Sequence, residues 1–181
     1  MAVRDLVIGG LLDGVGFDLG AGECLVILDE HDARRTALLQ VLAGARRPDA
    51  GTVHAPPAAA VWHADGLPEQ APVEQSVRDL LGCAPEQARA LLAGLGLAHR
   101  ATHEPWAMSA GERRRIAVEV ALSGPAALVV LDEPERGLDK QSLRWLAARV
   151  RAVVDAGRTV VVATYNEWLA DAVGDIVVEE L

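Results

Sequence analysis

The chain has 181 residues, of which 51% are apolar and only 3% aromatic; that is enough for one well-packed domain with a core of Val, Leu, Ile and Ala, and it excludes a disordered chain. Acidic residues number 26 against 17 basic ones for a formal net charge of -9, with no basic cluster, so nucleic acid is not an expected partner. No apolar run reaches the roughly 18 residues needed to cross a bilayer, the start MAVRDLVIGG is no signal peptide, and Cys24 and Cys83 have neither disulfide-framework nor metal-ligand spacing, so a cytoplasmic protein is expected.

Ala2 to Ile8 and Gly14 to Leu19 read as strands, and Gly20-Ala21-Gly22-Glu23 is the turn into a buried strand, Cys24 to Leu28. Leu38, Leu39, Val41 and Leu42 form the apolar stripe of a helix that stops at Gly44. A small strand at Thr52-Val53 and another at Val61-Trp62-His63 follow, and Pro72 to Leu97 reads as two short helices with Val77, Leu80 and Leu81 on one and Leu91, Leu92 and Leu95 on the other. Ser109-Ala110-Gly111-Glu112 fits a capping box that starts a helix running to about Leu122. Ala126 to Leu131, closed by Asp132-Glu133-Pro134, has the look of a buried parallel strand. Asp139 or Ser142 caps the next helix, whose inner face is Leu143, Leu146, Val150 and Val153 or Val154; Thr159 to Ala163 is a strand, Asn166 to Ala172 a helix and Ile176 to Val178 a final strand. Strands alternating with helices imply an α/β fold with a mainly parallel sheet, whose sites lie beyond the carboxyl ends of strands, here after Leu28, Leu131 and Ala163.

The order of these landmarks resembles the ATP-binding domains of ABC transporters along nearly the whole chain. Leu12 to Leu19 with Ala21-Gly22-Glu23 looks like the family's opening strand and turn, and Arg47-Pro48-Asp49-Ala50-Gly51 like the loop after its first helix. Trp106 to Arg113 sits where the family has its LSGGQ signature, Ala126 to Pro134 resembles the Walker B strand, and Gly137-Leu138-Asp139 resembles the D-loop. The resemblance implies a P-loop NTPase-like α/β fold: a mainly parallel sheet flanked by helices, a small antiparallel part, and a reduced helical insert at about 72–108 within one domain, 1–181.

Departures from the family pattern concentrate in the phosphate-binding loop. That motif, G-x-x-x-x-G-K-[ST], uses glycines so that backbone N–H groups point at phosphate oxygens, and a lysine to reach the outer phosphates. The aligned stretch is Asp29-Glu30-His31-Asp32-Ala33-Arg34-Arg35-Thr36: Asp29 and Arg34 stand for the two motif glycines, Asp32 for another usual glycine, and Arg35 for lysine. Carboxylates at 29, 30 and 32 crowd the loop; an unscreened like-charge pair at about 4 Å costs roughly 4 kcal/mol at an effective dielectric near 20, and Arg34 and Arg35 offset part of it. Side chains that must enter the left-handed backbone region cost roughly 1 to 2 kcal/mol each. Read without a ligand, the loop is a tight strand-to-helix turn with Asp32 as the helix cap.

Other family positions are mixed. Asp132 and Glu133 keep the types that hold magnesium and polarise water, and Thr36 keeps a hydroxyl, so Thr36 and Asp132 are metal ligands only if Mg-ATP binds. The switch histidine falls on Tyr165, and the glutamine linking nucleotide to the membrane subunit on Asp65. Ser109, Ala110, Gly111 and Glu112 keep a signature with a hydroxyl and a helix start that favours anions. Since the family dimerises head to tail around shared ATP, the resemblance implies a degenerate subunit. It would bind no nucleotide tightly alone and lend Ser109, Gly111 and the Asp139 loop to a Mg-ATP site. Its partners would be an ATP-binding subunit with an intact phosphate loop and a multi-span membrane subunit at the inner membrane face. The alternative is a non-catalytic scaffold or regulatory protein that keeps the fold.

Overall fold

The computed structural model describes all 181 residues. Strands β1 (Ala2–Ile8), β2 (Leu12–Asp18) and β4 (Ala50–His54) form an antiparallel sheet in the order β2-β1-β4. Strands β3 (Cys24–Ile27), β5 (Ala58–Val61), β6 (Leu128–Asp132), β7 (Thr159–Ala163) and β8 (Ile176–Val178) form a parallel sheet in the order β5-β6-β7-β3-β8. The helices are α1 (Asp32–Leu42), α2 (Val73–Leu81), α3 (Pro85–Gly94), α4 (Ala110–Ser123), α5 (Lys140–Asp155) and α6 (Glu167–Val173). None is long and apolar enough to cross a membrane.

Strands β3, β6 and β7 are buried at every position because both faces are covered, and apolar at all but Asp132 and Thr159. Successive side chains point to opposite faces, so Cys24, Val26, Val129, Leu131, Val160 and Val162 join one core with the inner faces of α4, α5 and α6 and with α2 and α3. Leu25, Ile27, Leu128, Val130, Val161 and Ala163 join a second core with α1 and the antiparallel sheet. The sheet thus divides two hydrophobic layers. Between β1 and β4 the register shifts after Arg4, where Asp5 takes φ 48° against Gly51 at φ 87°. A Cβ on Gly51 would lie 2.3 Å from the Asp5 carbonyl oxygen, so this crossing admits only glycine.

Two expectations shift. The strand read at Val61-Trp62-His63 is Ala58–Val61, because pairing of Ala58 to Val61 with Leu128 to Leu131 places alanines of weak β preference in the sheet edge. The expected Asp32 cap is replaced by His31, which makes no side-chain cap bond; Asp32 is the first helical residue and turns its carboxylate to Arg35 instead. Asp139, rather than Ser142, caps α5, accepting the Ser142 N–H at 2.7 Å.

Candidate functional site

Because β3, β7 and β6 are neighbours, their carboxyl ends bring Asp29, Thr164-Tyr165 and Asp132-Glu133 together over the start of α1. Arg35, on the first turn of α1, projects into that junction and is only 1% exposed. Its guanidinium donates to the Asp29 carbonyl, to Asp32 Oδ1 at 2.7 Å and to Glu133 Oε1 at 2.9 Å. Its carbon sits 3.7 Å from the centroid of the Tyr165 ring, within cation–π range. Arg35 Nε is buried without a partner. Glu133 holds this place with φ 46°, a left-handed conformation that costs a non-glycine residue roughly 1–2 kcal/mol.

The turn itself departs from a phosphate nest. A nest needs successive N–H groups brought together by alternating right- and left-handed backbone, and no residue from 29 to 36 has positive φ. The Asp29 carboxylate is buried and receives the His31 N–H at 2.6 Å on one oxygen and the Leu181 N–H at 2.9 Å on the other, with Arg34 at 3.7 Å. Burial pushes this carboxyl up, but the two N–H bonds and His31 hold it below the ordinary range. The expected crowding of three carboxylates is therefore relieved: Glu30 and Asp32 are exposed, and Asp29 and Asp32 each meet an arginine. Thr36 is half-buried, and Asp132 is buried with its carboxyl pushed up, chiefly by burial and then by the charge of Glu133. No group of three or more His, Cys, Asp or Glu side chains is arranged to hold a metal ion.

The second cluster lies at the start of α4. Ser109 Oγ accepts the Glu112 N–H at 3.2 Å while Glu112 Oε2 accepts the Ser109 N–H at 2.8 Å, so the capping box closes from both sides. Burial raises the Glu112 carboxyl, yet the Ser109 N–H and Arg100, at 3.0 Å, bring it below the ordinary range. Ser109 and Ala110 are exposed, whereas Gly111 is half-buried; a Cβ there would lie 2.6 Å from the Gly137 carbonyl oxygen. Gly111 packs on the turn that leads to Asp139, beside the exposed Ser109 and Ala110 of the tip.

Asp65 does not join the Arg35 cluster. Its Oδ2 receives Arg113 Nε at 2.9 Å, and Arg113 also donates to the carbonyls of Met108 at 3.2 Å and Pro105 at 3.4 Å. Arg114, buried, donates to the carbonyls of Trp62 at 2.6 Å and His63 at 2.7 Å. The sequence offers a trace of this pattern in Arg113-Arg114-Arg115: helical geometry sends three consecutive side chains in three directions. Glu135 also escaped sequence reading; it receives the Thr164 hydroxyl at 2.5 Å and the Tyr165 N–H at 3.3 Å, leaving its buried Oε2 unpaired.

Comparison with known proteins gives this geometry a family. Residues 12–136 match the family described as ABC transporter. The cytochrome c biogenesis ATP-binding export protein CcmA of Paracoccus denitrificans is 33% identical over 174 residues, covering 91% of this chain and 82% of CcmA. A solved ATP binding subunit of an ABC transporter superposes with a TM-score of 0.84 at 21% identity, covering 96% of this chain and 82% of that one. An ATP-binding cassette solved as a dimer in a post-hydrolysis state with ADP and Pi superposes with a TM-score of 0.81 at 18% identity, covering 94% and 90%. The chain belongs to the ABC transporter family, as an ATP-binding domain.

Proposed function

We propose that this chain is a degenerate ATP-binding subunit of an ABC export complex, one that lends its signature tip to the ATP site of a second subunit with an intact phosphate loop. The observation that carries the reading is Arg35. A guanidinium 1% exposed and bonded to Asp29, Asp32 and Glu133 fills the junction of three strand ends with a tethered cation. The residues present do not fit a bound Mg-triphosphate: residues 29 to 36 form no nest of N–H groups, and the carboxylate of Glu133 is held by Arg35 rather than free to take a proton from water.

The signature tip supports the other half of the reading. Ser109 Oγ is used as an acceptor by Glu112, so its own proton remains free to donate to a phosphate oxygen, and the 14-residue α4 sets its positive end behind it. Asp139, on the same face, ends the turn that packs against Gly111. Relatives named as ATP-binding export proteins favour an exporter with a multi-span membrane subunit, and the dimeric ADP-bound cassette favours pairing of two such domains. In this reading residues 1–181 act as one domain with a helical insert over 72–108, held at the inner face of the membrane by that membrane subunit.

The test is ATP hydrolysis by the complex purified through this chain. Ser109→Glu here is expected to lower turnover by about 100-fold, the scale of removing one oriented donor from a reacting site. Glu133→Gln here is expected to leave turnover within about twofold, against near-abolition from the matching change in the partner. An unaltered rate for Ser109→Glu overturns the shared-site reading, and equal loss from both glutamate changes means that this chain hydrolyses ATP itself.

A further inference from the structure

The loop after β5 and the start of α4 belong to different parts of the fold, yet they are joined by two arginines of α4. Arg113 reaches Asp65 at 2.9 Å and turns back to the carbonyls of Met108 and Pro105, directly before Ser109. Arg114 takes the carbonyls of Trp62 and His63, the two residues that follow β5. Asp65 Oδ1 in turn receives the Leu67 N–H at 3.2 Å, which holds the carboxylate facing the helix. Around the tip, Glu112 pairs with Arg100 and Arg115 donates to the Leu95 carbonyl, so the helical insert is tied to the same turn of α4. Every one of these bonds is made by the chain's own side chains.

From this we infer that Asp65 and Arg113 form a positioning pair that fixes the Ser109–Gly111 tip against the parallel sheet with no nucleotide in this chain's own loop. The pair sits in a cleft of about 480 Å³ between His63 and Trp106. Arg113 is 30% and Asp65 20% exposed, so water screens the pair in part and a modest, measurable effect is expected. The backbone carbonyls taken by Arg113 give the pair its leverage: rotating the guanidinium off Asp65 also releases the two residues that set the approach to the cap. A subunit whose loop holds no triphosphate would then present its tip in one orientation throughout its partner's cycle. That consequence rests on the function proposed above, whereas the pair itself does not.

Amide hydrogen exchange on the isolated full chain separates the two. In Asp65→Asn, which keeps the acceptor for Leu67 but loses the charge, and in Arg113→Met, which keeps the apolar stem, exchange of Met108, Ser109 and Glu112 is expected to rise about fivefold. Exchange in Cys24–Ile27 and Thr159–Ala163 should stay unchanged, reporting an intact sheet. The double variant should exceed neither single by more than about twofold, Asp65→Glu should return exchange to within about twofold of the parent, and Mg-ATP should not alter the parent. Unchanged tip exchange in both singles, additive effects in the double, or protection of the parent tip by Mg-ATP overturns the pair. If the sheet strands also exchange faster in the singles, the Asp65→Glu comparison decides: restored tip protection supports positioning, and its absence overturns it. Should exchange behave as expected while Ser109→Glu leaves the complex's turnover intact, the pair stands and the shared-site function falls.

Discussion

Replacing Arg35 by Met removes the guanidinium while keeping much of the buried stem, and its cost can be worked from the contacts. Three hydrogen bonds and one aromatic stacking contact disappear. Asp32 is 74% exposed and recovers water, so its loss contributes little. Glu133 is only 17% exposed and becomes a nearly buried carboxylate without its counter-charge. Breaking a buried pair by deleting one partner costs about 3–5 kcal/mol; residual water and His63, 3.6 Å from Glu133 Oε2, bring the expectation to the lower end, about 3 kcal/mol. For a chain of this length each kcal/mol moves Tm by about 2–4 °C, so a fall of about 6–12 °C is expected in a calorimetric scan. The cycle with Glu133→Gln carries the argument: the double variant should recover at least half the loss, a coupling of about 1.5 kcal/mol or more. A Tm within about 2 °C of the parent, or a coupling near zero, would refute the view that Arg35 serves as the site's resident cation.

Gly111→Ala places a Cβ 2.6 Å from the Gly137 carbonyl and is expected to cost about 2 kcal/mol, seen as a lower urea midpoint at constant slope; no change would show that the two turns do not touch. Asp29 and Glu112 have carboxyls held below their ordinary range, so their ionised forms favour the folded state: that contribution is complete above about pH 5 and is lost as pH falls through the folded values. Asp29→Asn should therefore lower stability at neutral pH and flatten the acid limb of the urea midpoint, and a limb as steep as the parent's would contradict this. Combining Asp29→Gly, Asp32→Gly, Arg34→Gly and Arg35→Lys should create Mg-ATP binding measurable by calorimetry in the isolated chain. Comparable binding by the parent would mean that the present loop already accommodates the nucleotide.

Elements whose pattern is set locally were legible. The strands Thr159–Ala163 and Ile176–Val178 follow their apolar runs, Ala2–Ile8 has its expected bounds, and the Ser109 and Asp139 caps follow from short-range chemistry. The edge strand Ala58–Val61 was misplaced by three residues because its place comes from pairing with Leu128–Leu131 and its alanines give no local signal. The site divides the same way. The motifs single out Asp29, Arg35, Glu133 and Tyr165, but the contact of Arg35 with Glu133 joins residues 98 apart in sequence and depends on the order of the strands. Asp65 and Arg113 each fall in a motif stretch, but nothing in either motif pairs them: they lie 48 residues apart, and only the fold brings the carboxylate to the guanidinium.

The division of the sheet into two hydrophobic layers has a consequence for how variants of this chain combine. Val129 and Val130 are adjacent in sequence, yet one side chain packs among α4 and α5 while the other packs toward α1 and the antiparallel strands. Truncations at such neighbours share no packing partners, so their penalties should sum, whereas truncations at Val129 and Val160, on one face of paired strands, should interact. Position parity along a strand therefore predicts epistasis better than proximity along the chain.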